Sequence, residues 1–287
     1  MDPLQAARHS AQVAALFDRV AHTYDAVGVP WFEPIAERLV AELSPAPGER
    51  ALDLGTGRGA ALWPLARGLG STGQVTGLDL SPEMVNATRL DARERRLSTV
   101  NLVVDDAGGP HLAHAQFDLA AASLVLFFLP DPPAALRAWR ELLVPGGRLG
   151  VSTFGTRDPA WERLDDVFTP FLPPALLDAR TSGTRGPFAS DLGVEQLLEA
   201  AGFTGVRTAR SEVSVRFVDV EQWRLWSWSH GQRSHWDAVP EERRAGVLAA
   251  AAERLDGTLE HDGGFTLTQQ VRFTIGRRPE DPPATVR

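Results

Sequence analysis

The sequence predicts an α/β fold with a seven-stranded, mostly parallel sheet and helices on both faces. Three observations predict it. The stretch Ala51-Leu52-Asp53-Leu54 is a short apolar strand that stops at Gly55-Thr56-Gly57-Arg58-Gly59 and feeds into a helical pattern of Leu62, Trp63, Leu65, Ala66 and Leu69. Strand-like and helix-like periods then alternate along the chain, as they do when parallel strands are joined by crossover helices. Residues 119 to 126 are almost continuously apolar, as a central strand buried on both faces must be.

Taken in order, Val13, Leu16, Phe17, Val20, Tyr24 and Val27 fall on one stripe, so an amphipathic helix is expected over 10–27. Phe32, Ile35, Ala36, Leu39, Val40 and Leu43 give a second helix, stopped by Ser44-Pro45-Ala46-Pro47-Gly48. After the strand at 51–54 and its helix, residues 74–80 read as the second strand. Ser81-Pro82-Glu83 then supplies an N-cap, a first-turn proline and an acid that suits the helix dipole, opening a helix over 82–95. Strands follow at 101–104 and 119–126, and a helix at 132–143 with Leu136, Trp139 and Leu143 on one face. Pro145-Gly146-Gly147 forces a turn into a strand at 148–154. From 155 to 187 the alternation ceases, and Trp161, Phe168 and Phe171 recur at helical spacing among prolines, the pattern of an inserted helical cap. A helix with Val194, Leu197, Leu198 and Ala201 stops at Gly202; strand material at 206–218, a tryptophan-rich helical stretch at 220–231, a helix at 240–255 and a strand at 265–275 follow. The tail from Arg277, with Pro279, Pro282 and Pro283, is expected to fray.

Composition excludes several kinds of chemistry. The net charge of −8 argues against a nucleic-acid partner, which would select a basic face. Every basic residue other than histidine is arginine, so Schiff-base chemistry and a phosphate-loop lysine are excluded. With no cysteine there are no disulfides, thiolate nucleophiles or cysteine-held metals, and no carboxylate pair or histidine cluster has metal-ligand spacing, so no metal is expected. The first residues, with Pro3, Gln5, Arg8 and His9, do not read as a secretory leader. The run from Leu119 to Leu129, broken by Ser123, falls short of the ~20 residues a membrane helix needs. A soluble, cytoplasmic protein without a membrane partner is expected, as a monomer or homo-oligomer.

The glycine turn invites a nucleoside-type ligand, because glycines let the backbone approach it closely. Gly55-x-Gly57-x-x-Ala60 also fits the dinucleotide fingerprint, so the glycines alone do not separate an NAD enzyme from other users of this turn. Asp53 separates them. A carboxylate inside a strand is costly to bury and calls for a cation, which the amino group of an amino-acid-bearing cofactor provides and a pyrophosphate does not. At these residues the chain resembles the class I S-adenosylmethionine-dependent methyltransferases, whose first motif is acidic-x-Gly-x-Gly-x-Gly, on a Rossmann-like sheet with one antiparallel strand near the edge. Phe17-Asp18-x-Val20-Ala21-x-x-Tyr24-Asp25 resembles the opening of the ubiquinone/menaquinone-type members, and the turn at Pro145-Gly146-Gly147 is similar to theirs.

The resemblance implies S-adenosylmethionine as cofactor, S-adenosylhomocysteine as product, and a small-molecule acceptor. It divides the chain into an N-terminal helical lid (1–44), a cofactor-binding core (45–154) and an acceptor side (155–287). Cofactor contacts are implied for Tyr24 on the lid, for Asp53, Gly55, Thr56 and Gly57, and for Asp79, which stands at a strand end about 20 residues past the glycines where ribose hydroxyls are bound. Leu80 and Met84 correspond to apolar adenine contacts, Asp106 to the acceptor for the adenine amino group and Ala107 to a backbone contact, with a one-residue ambiguity because Asp105 precedes. Ser123 and Leu124 pass close to the cofactor. The chain departs from its relatives at Phe127-Phe128, where they often carry histidine, which leaves His230, His235 and His22 as candidate bases. Four of the eight tryptophans fall between 223 and 236, and Trp31, Phe127, Phe154, Trp223 and Trp226 are assigned to an apolar acceptor pocket. The expected reaction is methylation of an O, N or C nucleophile on an apolar metabolite in natural-product biosynthesis; the alternative is a protein of this fold that catalyses a cyclisation or acts as a cofactor-binding regulator.

Overall fold

The computed structural model describes residues 3–174, 176–177, 182–255 and 257–281. Seven strands, β1 (Arg50–Leu54), β2 (Gln74–Asp79), β3 (Val100–Val104), β4 (Phe117–Ser123), β5 (Leu143–Arg157), β6 (Thr204–Phe217) and β7 (Phe265–Arg277), form one sheet in the order β3-β2-β1-β4-β5-β7-β6. The strands from β3 to β5 are parallel, and β7 runs antiparallel to both β5 and β6. Strand order therefore reverses between β1 and β4, which places a crevice beyond the ends of those two strands.

Helices cover both faces. Ile275 and Gly276 are neighbours in β7 and so point to opposite sides of the sheet. On the Ile275 side lie Leu39 and Leu43 of α2 (Phe32–Leu43), close enough that a Cβ at Gly150, the partner of Ile275, would clash with both. On the Gly276 side lies Leu198 of the helix Asp191–Ala200, 3.3 Å from where a Cβ would stand. Among the described residues no helix is long and apolar enough to cross a membrane.

Three boundaries differ from those the periodicity predicts. The first helix, α1, spans Pro3–Val20 and not 10–27; Arg58 Nη1 donates to the Ala21 carbonyl at 2.6 Å and Asp25 takes a left-handed φ of 56°, so Tyr24 stands in the turn that follows. Strand β4 ends at Ser123, because Leu124 turns to a φ of 58° and donates its N–H to Ser152 Oγ at 3.0 Å. The expected turn at Pro145-Gly146-Gly147 is a bulge inside β5: Phe117 pairs with Leu143 but Leu119 with Arg148, and Gly146 takes a φ of 77°. Of the tail expected to fray, residues 282–287 lie outside the described residues.

The segment around Phe188, Ala189 and Asp191 is fastened to the sheet by a buried cation. Arg272 of β7 pairs with Asp191 at 2.7 Å and donates to the carbonyls of Phe154, Phe188 and Ala189. Sequence periodicity gives no sign of it, since the partners are at least 81 positions away. Removing one partner of a buried ion pair costs about 3–5 kcal/mol; Asp191 keeps a second pair with Arg210, whereas the carbonyls of Phe154, Phe188 and Ala189 lose their arginine. Arg272→Ala is therefore expected to lower unfolding stability by that amount, measured by urea denaturation. A loss below about 0.5 kcal/mol, the range of surface substitutions, would contradict the assignment.

Candidate active site

The site begins at Asp53, buried at the end of β1 between β2 and β4. Its Oδ2 accepts from Thr56 Oγ1 at 2.7 Å, and among the described residues no arginine pairs with it. Burial pushes its carboxyl up to about 7; the Thr56 hydrogen bond opposes the shift and the neighbouring Asp79 adds to it. The glycine loop then turns at Gly55, φ 69°, where a Cβ would stand 2.6 Å from Val125 beyond β4. Gly57, φ 49°, has no atom within 4 Å of its Cβ position, so the backbone is bare on the side where a ligand would approach.

Asp79, at the end of β2, accepts from the Gly57 N–H at 2.8 Å and the Ser81 N–H at 2.9 Å. It braces the loop while keeping lone pairs for a ligand, and burial raises its carboxyl above the usual range. Asp105 and Asp106 make different contacts. Asp105 accepts from the backbone N–H of His111 and pairs with its Nδ1, at 2.7 and 2.9 Å. Asp106 accepts instead from the Gly108 N–H at 2.7 Å and from Ser10 of α1 at 3.3 Å. Ala107 is buried, its carbonyl accepting from Trp139 Nε1 at 2.7 Å. Ser123 Oγ lies 3.2 Å from Ser152 Oγ.

The N-terminal segment lies across these strand ends. His9 Nε2 is 2.8 Å from the Phe128 carbonyl, and Asp18 accepts from Ser81 Oγ at 2.5 Å. Met84 is buried against Val20 and Ala21, with Phe17 and Tyr24 alongside; Leu80 is half-buried. Tyr24 stacks on Phe32 with ring centres 4.6 Å apart. Burial holds its hydroxyl well above the usual value, with Asp25 and Asp79 adding to the shift. Ser10, Asp18 and Arg58 carry no role in the sequence reading: each is a polar residue whose partner is remote in the chain.

The acceptor residues separate into three groups. Trp31, Trp161 and Trp226 form a triad with ring centres 5.4, 5.9 and 5.5 Å apart, and His230 sits 4.2 Å from Trp226 and 5.8 Å from Phe32. Phe127 packs on Phe154, Phe128 and Phe188. Trp223 joins neither group; it is fully buried against Phe168 and Trp236. Of the three histidines, His22 is exposed beside Glu83, and His235 is buried against Phe168. His230 alone reaches the Phe32–Trp226 wall. Burial, with His235 adding, pushes its ring down to about 3, so it is uncharged at neutral pH. Among the described residues no group of three or more histidine or acidic side chains could hold a metal ion.

A family model described as a methyltransferase domain matches residues 52–149. The chain is 36% identical over 275 residues to nocamycin O-methyltransferase of Saccharothrix syringae, covering 91% of this chain and 97% of that protein. It is 40% identical over 175 residues to aklanonic acid methyltransferase DauC of Streptomyces sp. (strain C5), covering 61% and 80%. Among solved structures, the YcgJ protein of Bacillus subtilis shares the fold with a TM-score of 0.58 at 16% identity, over 86% of this chain and 99% of that one. The [4+2]-cyclase SpnF shares it with a TM-score of 0.53 at 24% identity, over 85% and 82%. A near full-length relative at this identity, joined to an acidic glycine loop at the strand-order reversal, shows that the chain belongs to the class I S-adenosylmethionine-dependent methyltransferases.

Proposed function

We propose that the protein methylates an oxygen of a small, largely apolar metabolite in natural-product biosynthesis, in the cytoplasm and without a metal. The observation that carries this reading is the aromatic wall of Trp31, Phe32, Trp226 and His230, which begins where Tyr24 stacks beside the Asp79 end of the cofactor loop. The names of the two relatives, an O-methyltransferase and a methyltransferase of an organic acid, support oxygen as the nucleophile.

S-adenosylmethionine supplies an electrophilic methyl group on a sulfonium when bound. Asp53 is the counter-charge for its amino group, and Asp79 accepts from the ribose hydroxyls. Asp106 and the Ala107 backbone meet the adenine edge, and Leu80 and Met84 its faces. Gly55, Thr56 and Gly57 form the loop that approaches it, Ser123 and Leu124 pass alongside, and Tyr24 closes over the top. Phe127 and Phe154 extend the acceptor surface next to the Trp31–Trp226 group. Because the His230 ring is held uncharged, it would be a weak base, so the acceptor oxygen must ionise by itself, as a carboxylate, enol or acidic phenol does. The protein then contributes by alignment and by excluding water.

Incubation with methyl-labelled cofactor and a panel of aromatic acids, enols and phenols is expected to move label into the organic product. Conversion of an acceptor with all label retained in the cofactor would contradict methyl transfer. Asp79→Ala is expected to weaken S-adenosylhomocysteine binding by roughly 1.5–3 kcal/mol. Because Asp79 also holds the Gly57 and Ser81 amides, the same change should lower ligand-free stability by about 1 kcal/mol. Normal affinity by calorimetry would remove the ribose role.

Asp53 adds a pH dependence with a definite sign. Its folded carboxyl is raised from 3.8 to about 7, so the stability it contributes is full below the unfolded value and lost as pH rises through 7. A ligand ammonium favours the ionised form. Binding near pH 6 should therefore release a proton, and affinity should rise with pH up to about 7 and then level off. Calorimetry in buffers of different ionisation enthalpy reads the proton directly, and Asp53→Asn should abolish both effects. A pH-independent affinity in the native protein would contradict the assignment.

A further inference from the structure

Most indole N–H groups whose bonding is seen are satisfied inside the fold. Trp63 Nε1 donates to the Arg58 carbonyl, Trp139 to Ala107, Trp161 to Thr268 and Trp236 to Ser227 Oγ. Trp223 and Trp226 are buried exceptions, each with an unpartnered Nε1. Trp223 lies in the packing of the cap, against Phe168 and Trp236. Trp226 is in the acceptor wall, and the ring beside it carries a second unpartnered nitrogen, His230 Nε2. Both nitrogens are buried, in side chains 2% and 8% exposed, and neither has a partner among the described residues.

The tautomer of His230 follows from its other nitrogen. The backbone N–H of Gln232 points at His230 Nδ1 from 3.4 Å, and an amide N–H only donates. Nδ1 therefore offers its lone pair, and in the uncharged ring the hydrogen is on Nε2. The loop that sets this orientation is braced from behind. Gln232 Nε2 donates to the buried Asp165 at 2.6 Å, and Arg157 pairs with the same carboxylate at 2.9 Å. His230 Nε2–H and Trp226 Nε1–H are thus two unpartnered donors on rings that meet edge to face, with Trp31, Phe32, Trp161 and Phe217 around them.

We propose that His230 Nε2–H and Trp226 Nε1–H form a two-donor cradle for a carbonyl or carboxylate oxygen of the acceptor molecule, which makes them specificity-determining residues. The inference rests on the acceptor side assigned above. A carbonyl-type oxygen has two lone pairs and no hydrogen of its own, so it satisfies both donors. A hydroxyl would leave its own hydrogen facing aromatic rings. The cradle stands across Phe32 from Tyr24, whose neighbour is Asp79, so it belongs to the acceptor and not to the nucleoside.

The test needs no turnover. The full chain saturated with S-adenosylhomocysteine is dialysed to equilibrium against 2-acetylnaphthalene, 2-naphthoate and 2-isopropenylnaphthalene, the last having the shape of the ketone without its oxygen. The ketone, the carboxylate or both should bind roughly tenfold or more tighter than the hydrocarbon, and which of them does so distinguishes the two oxygen chemistries. Trp226→Phe and His230→Leu should each bring that ratio towards one, whereas His230→Gln, which restores an N–H, should recover part of it. Nitrogen NMR of the native protein should show the His230 hydrogen on Nε2. A ratio near one in the native protein, including no binding of any probe, or a hydrogen on Nδ1, would overturn the cradle. Failure of labelled methyl transfer with these binding results intact would instead strike the reaction assigned above.

Discussion

A carboxylate buried with no cationic partner among the described residues is the constraint on which the glycine-loop end of this fold depends. Asp53 is held by the Thr56 hydroxyl and the Leu62 backbone at the point where the strand order reverses. Such a group is costly in the folded chain unless it is protonated or meets a positive ligand, and its carboxyl rises accordingly. Val125 walls one side of Gly55, Gly57 has no neighbour at its Cβ position, and Asp79 holds the loop by the Gly57 amide. The loop is thereby fixed before any ligand arrives, so binding has less conformational entropy to overcome.

The N-terminal segment is attached over that site in a different way. His9, Ser10, Asp18 and the Ala21 carbonyl each make a polar tie to the core, and Phe17 fits between Phe128 and Tyr24. Single, partly exposed hydrogen bonds contribute about 1 kcal/mol net each, far less than the buried sheet beneath them. Asp106 and Ser81 are central to this arrangement, because each bonds a residue of the N-terminal segment, Ser10 and Asp18 respectively.

What was legible in the sequence was whatever has a local signature. The acidic glycine loop, the capped helix opening at Ser81 and the seven alternating strands follow from neighbouring residues, and all are present in the fold. Boundaries set by distant partners were not legible. The first helix ends where Arg58 reaches Ala21, and β4 ends where Ser152 takes the Leu124 amide. Periodicity groups Trp223 with Trp226 because both lie on one buried helix, whereas their ring partners differ. The Arg272 clamp and the His230 tautomer depend wholly on tertiary placement.

The central claim is that the buried Asp53 selects an amino-acid-bearing nucleoside over a dinucleotide. Titration calorimetry of the full chain with S-adenosylhomocysteine and, separately, with NAD tests it most directly. Saturable binding of S-adenosylhomocysteine is expected, lost when Asp53 is replaced by asparagine, with no binding of NAD. Tight binding of NAD together with no response to S-adenosylhomocysteine would contradict it.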